Sequence, residues 1–150
     1  MKILICGCRD YQDYEKIRKY VEEKKEKNDE LIVVQGGASG ADALAKRACG
    51  ELGIECREYK ANWKKYGRAA GPKRNQQMLD EEHPDLVVAF HPDIEGSKGT
   101  KDMINRAKRL GYETEVVGEK KEVFYPITEE KLTGEVDEES VYKIGSRQES

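Results

Sequence analysis

The sequence predicts an α/β protein, a doubly wound three-layer sandwich around a mainly parallel five-stranded sheet. Three observations carry this reading. Five short β-rich runs alternate with four stretches of helical period. Two of those runs, Leu31–Gln35 and Asp85–Phe90, are almost wholly apolar, as strands are when helices cover both faces of a parallel sheet. The glycines gather just after the runs, at the carboxyl ends of strands where such sheets bind ligands.

The elements follow in order. The first strand is expected over Ile3–Cys6, ending at Gly7. Tyr14, Ile17 and Val21 then fall on one helical face. The second strand, Leu31–Gln35, ends in Gly36, Gly37 and Gly40 and leads into a helix with Ala41, Leu44, Ala45, Ala48 and Leu52 on one side. A third strand is expected over Ile54–Tyr59. The third helix follows Gly71-Pro72, since proline suits a first helical turn, and carries Met78 and Leu79. Asp85–Phe90 is the fourth strand, with Gly96 and Gly99 a few residues later. Met103, Ile104, Ala107 and Leu110 make the fourth helical face, and Glu113–Val117 the last strand. Right-handed crossovers convert this β-α-β order into helices on both faces of one sheet.

The chain has 150 residues, which suits one domain able to bury a core without metals or disulfides. We assign residues 1–118 to that domain and 119–150 to an acidic, partly ordered extension with nine acidic and five basic residues. No apolar run is long enough for a membrane span or a signal peptide, so no membrane partner and a cytoplasmic location are expected. Twenty-seven basic residues face 30 acidic ones, against the positive excess of a dedicated duplex-DNA binder. Of the four cysteines, Cys6-x-Cys8 lacks a second pair at finger spacing. We expect Cys6 and Cys49 to be core residues, and neither a metal site nor a cofactor.

Two loops could hold an anion. In Gly36-Gly37-Ala38-Ser39-Gly40-Ala41-Asp42, glycines let backbone N–H groups approach a phosphate at a helix N-terminus. It is not a Walker A loop, because no lysine follows the last glycine. A plain turn with Ser39 and Asp42 as a capping box is the simpler alternative. Gly96-Ser97-Lys98-Gly99-Thr100 repeats the arrangement after the fourth strand, with Thr100 as a possible N-cap. Between them, Arg57 to Arg74 carries seven basic residues and one acid, interleaved with Tyr59, Trp63 and Tyr66. Trp63, the only tryptophan, suits stacking on a base or packing on the sheet. Arg9, after the first strand, could reach an anion held by the neighbouring loops or pair with Asp10 or Asp13.

Taken together, ILICGCRD, VVQGGASGADALA, ANWKKYGRAAGPKRNQQML and DLVVAFHPDIEGSKGT resemble the YspA-like, cpYpsA-related branch of the SLOG superfamily, which also holds the Smf/DprA and LOG proteins. The resemblance covers about residues 1–118. It implies a Rossmann-like fold and a site for a nucleotide or nucleotide-derived small molecule. Ligand contacts would fall on Gly7, Arg9, Gly36, Gly37, Ser39, Gly40, Asp42, Trp63, Arg74, Asn75, Gly96, Ser97, Gly99 and Thr100. The LOG enzymes cleave nucleotide N-glycosidic bonds with an arginine and the glutamate of PGGxGTxxE. Arg74 roughly matches the arginine, while Met103 stands at the glutamate position. Asp102, one residue earlier, would point about 100° round the helix.

The expected function is therefore binding of a phosphorylated nucleotide or its derivative, as a sensor or a sequestering protein. The alternatives are an N-glycosidase using Asp102 or Asp42, and a DNA-binding protein of the Smf/DprA kind; the charge balance counts against nucleic acid. Met78, Leu79, Met103 and Ile104 could supply an apolar patch, so we also expect a homo-oligomer.

Overall fold

The computed structural model describes residues 1–118; the extension expected over 119–150 lies outside the described residues. Five strands form one all-parallel sheet: β1 (Lys2–Gly7), β2 (Ile32–Gln35), β3 (Glu55–Glu58), β4 (Leu86–Phe90) and β5 (Thr114–Val117). Their order across the sheet is β3-β2-β1-β4-β5. Four long helices connect them: α1 (Tyr14–Lys27), α2 (Ala41–Leu52), α4 (Ala70–Glu82) and α5 (Gly99–Arg109). A one-turn helix α3 (Trp63–Tyr66) precedes α4. This is an α/β Rossmann-like sandwich.

Side chains of successive strand residues point to opposite faces, and the sequence uses both. Ile3, Ile5, Val33, Val88 and Phe90 face α1 and α2, where Ile17, Val21, Ala45 and Ala48 meet them. Leu4, Val34, Val87 and Ala89 face α4 and α5, where Met78, Leu79, Met103 and Ala107 complete the second core. Every residue of β4 is buried, as its unbroken apolar run requires. Tyr11 and Tyr20 pack on Phe90, with ring centroids 5.8 and 5.4 Å away.

Helix ends follow the local chemistry. The Asp13 carboxylate accepts from Lys16 N–H at 3.2 Å to start α1, and Lys24, Lys25 and Lys27 complement its carboxyl end. Gly53, with φ 69°, closes α2 in the left-handed conformation.

The basic stretch Arg57 to Arg74 begins in β3, runs through α3 and a 3-10 turn over Gly67–Ala69, and ends inside α4. The structure revises one expectation. Met78, Leu79, Met103 and Ile104 are at most 3% exposed within the single chain. The sheet consumes these four side chains, so they offer no surface for the expected homo-oligomer.

Candidate functional site

The strand order places a reversal beside β1. The chain leaves β1 for β2 on one side and returns to β4 on the other. The crossovers therefore diverge at the carboxyl ends of β1 and β4, and a crevice opens there. A cavity of about 360 Å³ occupies it, between the starts of α2 and α5. Gly7 closes β1 at this point because α2 begins directly against it. A Cβ on Gly7 would stand 2.7 Å from the Ala41 Cβ.

The loop after β2 is not the capping box that its sequence also allows. Gly40 precedes α2 without a side-chain cap. Asp42 turns back instead, and its Oδ2 accepts from Gly36 N–H at 3.1 Å and Ala38 N–H at 3.2 Å. Gln35 Oε1 accepts from Gly37 N–H at 2.6 Å. There is thus no Ser39–Asp42 capping box, and the Gly36, Gly37 and Ala38 N–H groups are engaged inside the protein. Ser39 donates its hydroxyl to the Arg9 carbonyl at 3.0 Å, and Ala41 N–H donates to the Cys8 carbonyl at 3.1 Å. These bonds fasten the Cys8–Arg9 turn to the start of α2.

Arg74, in the first turns of α4, reaches across to this loop. Its Nη1 donates to the Gly36 carbonyl, and its Nε donates to Asn75 Oδ1 at 3.1 Å. A Cβ on Gly36 would lie 2.6 Å from that Nη1, so glycine is what lets the guanidinium lie against the loop. Asn75 donates from Nδ2 to Asp102 Oδ2 at 3.0 Å and to the Gly99 carbonyl at 3.4 Å, joining α4 to the start of α5.

At that start the Ser97 hydroxyl oxygen accepts from Thr100 N–H at 3.1 Å. Ser97, rather than Thr100, supplies the cap. Ser97, Gly99 and Thr100 line the crevice. Gly96 does not: it ends a 3-10 turn over Ile94–Gly96, where a Cβ would come within 2.9 Å of Asp93 Oδ2. Asp102 is also outside the crevice lining, held by Asn75 and by Arg106 Nε at 2.8 Å, whereas Met103 lines it.

A second cavity of about 320 Å³ adjoins the first, lined by Gly36, Gly37, Ser39, Lys60 and Trp63. Arg9, Ala38 and Arg74 line both cavities. Trp63 is half exposed, with the Arg9 guanidinium 5.7 Å from its ring centroid.

Electrostatics divide the crevice. Burial pushes Asp42 up to about 6, against the pull of the Ala38 N–H, the Arg74 charge, the Gly36 N–H and the Arg9 charge. Burial pulls Arg74 below its ordinary value, while Asp42 opposes that change. Burial likewise pushes the Cys6 thiol up, in keeping with a residue packed beneath the crevice rather than a nucleophile.

The crevice gathers Gly7, Arg9, Asp42, Arg74, Asn75, Ser97, Gly99 and Thr100, and the adjoining cavity adds Gly36, Gly37, Ser39 and Trp63. Gly40 stands behind the lining, under the Cys8–Arg9 turn. Sequence reasoning missed His91, which is buried in the crevice wall. Its Nδ1 accepts from Asp93 N–H at 2.8 Å. The signal was available, because His91 directly follows β4, at the edge where sheets of this kind bind ligands.

Fold and site together define a doubly wound α/β domain with its crevice at the topological switch point, bordered by two guanidinium groups and the start of a helix. Residues 1–66 match the model of the YspA, cpYpsA-related SLOG family. The match supports a nucleotide-related function in general. The chain is also 28% identical over 116 residues to "Gene 61 protein" of Mycobacterium phage D29, an alignment covering 73% of this chain and 90% of the relative. Among the described residues, no helix is long and apolar enough to cross a membrane.

Proposed function

We propose that the protein binds a phosphorylated nucleotide, or a small molecule derived from one, in the crevice at the ends of β1 and β4. One observation carries the reading: Arg9 and Arg74 line both adjoining cavities and so flank the passage between them. Guanidinium groups match phosphate oxygens in charge and geometry. The α5 N-terminus, with Ser97 and Thr100, adds backbone dipoles and hydroxyls on the far wall. Trp63 in the second cavity offers a face for a base.

A ligand held this way is sensed or sequestered. The N-glycosidase alternative keeps one candidate, Asp42, since Asp102 is tied to Asn75 and Arg106 away from the crevice. Thermal-shift titration with a panel of nucleoside mono-, di- and triphosphates and dinucleotides tests binding. Stabilisation by at least one class, reduced in Arg9→Ala, is the expected result; no stabilisation by any would refute it. Chromatography of the same mixtures separates the alternatives, because a binder releases no free base above background.

A further inference from the structure

Six polar or charged side chains are buried among the described residues: Gln35, Asp42, Asn75, Glu82, His91 and Thr100. Buried polar atoms normally find partners, and exceptions call for a reason. Three of the six are well engaged. Gln35 binds Gly37 N–H and Glu58, Asn75 binds Arg74, Gly99 and Asp102, and Glu82 binds Lys2, Arg57 and Tyr59.

Each of the other three leaves one polar atom without a partner among the described residues. Asp42 spends Oδ2 on two backbone N–H groups, leaving Oδ1. His91 accepts at Nδ1, so its neutral ring carries the hydrogen on an open Nε2. Thr100 donates its backbone N–H to Ser97, leaving its hydroxyl. All three residues are nine-tenths or more buried, and all three line the same cavity.

The open atoms differ in kind. His91 Nε2–H donates, and the Thr100 hydroxyl can donate or accept. Asp42 Oδ1 on an ionised carboxylate only accepts, and it repels phosphate. Arg9, Arg74, Thr100 and the α5 N-terminus can meet the anionic part of a ligand. The Asp42 edge needs a neutral group rich in O–H donors. On a nucleotide, a vicinal diol is such a group, and it lies within a few bonds of the phosphate.

We propose, building on the nucleotide reading above, that Asp42 Oδ1 accepts a hydrogen bond from a sugar hydroxyl, so that the site selects ribonucleotides over deoxyribonucleotides. A ligand lacking that hydroxyl leaves a buried carboxylate oxygen without a donor, which a site built to hydrogen-bond a hydroxyl penalises.

The test is calorimetric titration of the full chain with AMP and GMP and with their 2′-deoxy and 3′-deoxy counterparts. At least one deoxy form should bind about tenfold more weakly or worse. In Asp42→Asn, checked for folding by its melting curve, that ratio should shrink to about threefold or less. Equal affinity of ribo and both deoxy forms in the wild type overturns the proposal while leaving the nucleotide reading intact, and needs no variant. Undiminished discrimination in a folded Asp42→Asn assigns the hydroxyl to another group and also overturns it. Binding of no form at all also overturns the proposal, while the nucleotide reading stands or falls on the wider panel above.

Discussion

Replacing Asp42 by asparagine separates the charge of this residue from its hydrogen bonds. The amide oxygen can still accept from Gly36 and Ala38 N–H, so the loop after β2 keeps its anchor. What disappears is a buried negative charge. Burial raises the Asp42 pKa from an ordinary value of 3.8 to about 6. A rise of about two pH units, at about 1.4 kcal/mol per unit, is worth about 3 kcal/mol. The sign follows from linkage. Below about pH 4 the carboxyl is protonated in both the folded and the unfolded chain, and nothing is lost. As pH rises towards 6, the unfolded chain releases the proton while the folded chain holds it, so stability falls. Above about pH 6 the full cost persists. Urea denaturation of wild type and Asp42→Asn from about pH 4 to about pH 8 isolates this contribution, because the other carboxylates largely cancel in the difference. The variant should gain about 3 kcal/mol on the wild type across that range, or on the order of 10 °C in Tm. A difference that changes by less than about 0.5 kcal/mol would show that Asp42 is not a destabilised carboxylate, and the electrostatic division of the crevice would fail with it.

Other perturbations probe separate parts of the argument. Glu82→Gln should cost about 2 kcal/mol near neutral pH, since it breaks ion pairs to Lys2 (3.0 Å) and Arg57 (2.8 Å). Burial raises the Glu82 pKa, but hydrogen bonds from Tyr59, Lys2 and Arg57 outweigh it and hold it low. The stability it adds is therefore lost as pH falls through the carboxylate range, and urea melts in mild acid should show the gap closing. Gly40→Ala forces a side chain onto φ 74° and to within 2.5 Å of the Arg9 carbonyl carbon, so denaturation should report a loss of about 2–3 kcal/mol. In Gly99→Ala the new methyl meets nothing within 4 Å, so stability should hold within about 0.5 kcal/mol while nucleotide affinity falls. Unchanged affinity would show that the ligand does not approach that backbone. Finally, Trp63 is the sole tryptophan and half exposed, so its fluorescence should change on nucleotide titration and its quenching by iodide should drop. A silent Trp63 would remove it from the site.

The sequence by itself determined the layers of this protein. Apolar runs of strand length, helical stripes between them and glycines at the joins are local signals of burial, and the strands fall within one or two residues of where those signals put them. The glycine-bearing strand ends were legible for the same reason as the edge where the crevice opens. Tertiary structure decided everything that depends on who stands next to whom. The placing of β4 beside β1, rather than beyond β3, creates the crevice, and no periodicity encodes it. Asp42 sits at a helix start, where its pattern suggests a cap, yet its carboxylate bonds back to the loop because Gly36 and Ala38 direct their N–H groups at it. Met103 and Ile104 look like a sticky surface until α4 and α5 close over the sheet and bury them. His91 gains its importance only once β4 delivers it beside α5 and Asp93 takes its Nδ1. A sequence pattern reports how much of a side chain is hidden. Which donor meets which acceptor depends on segments tens of residues apart arriving together, and that is set by the order of the strands.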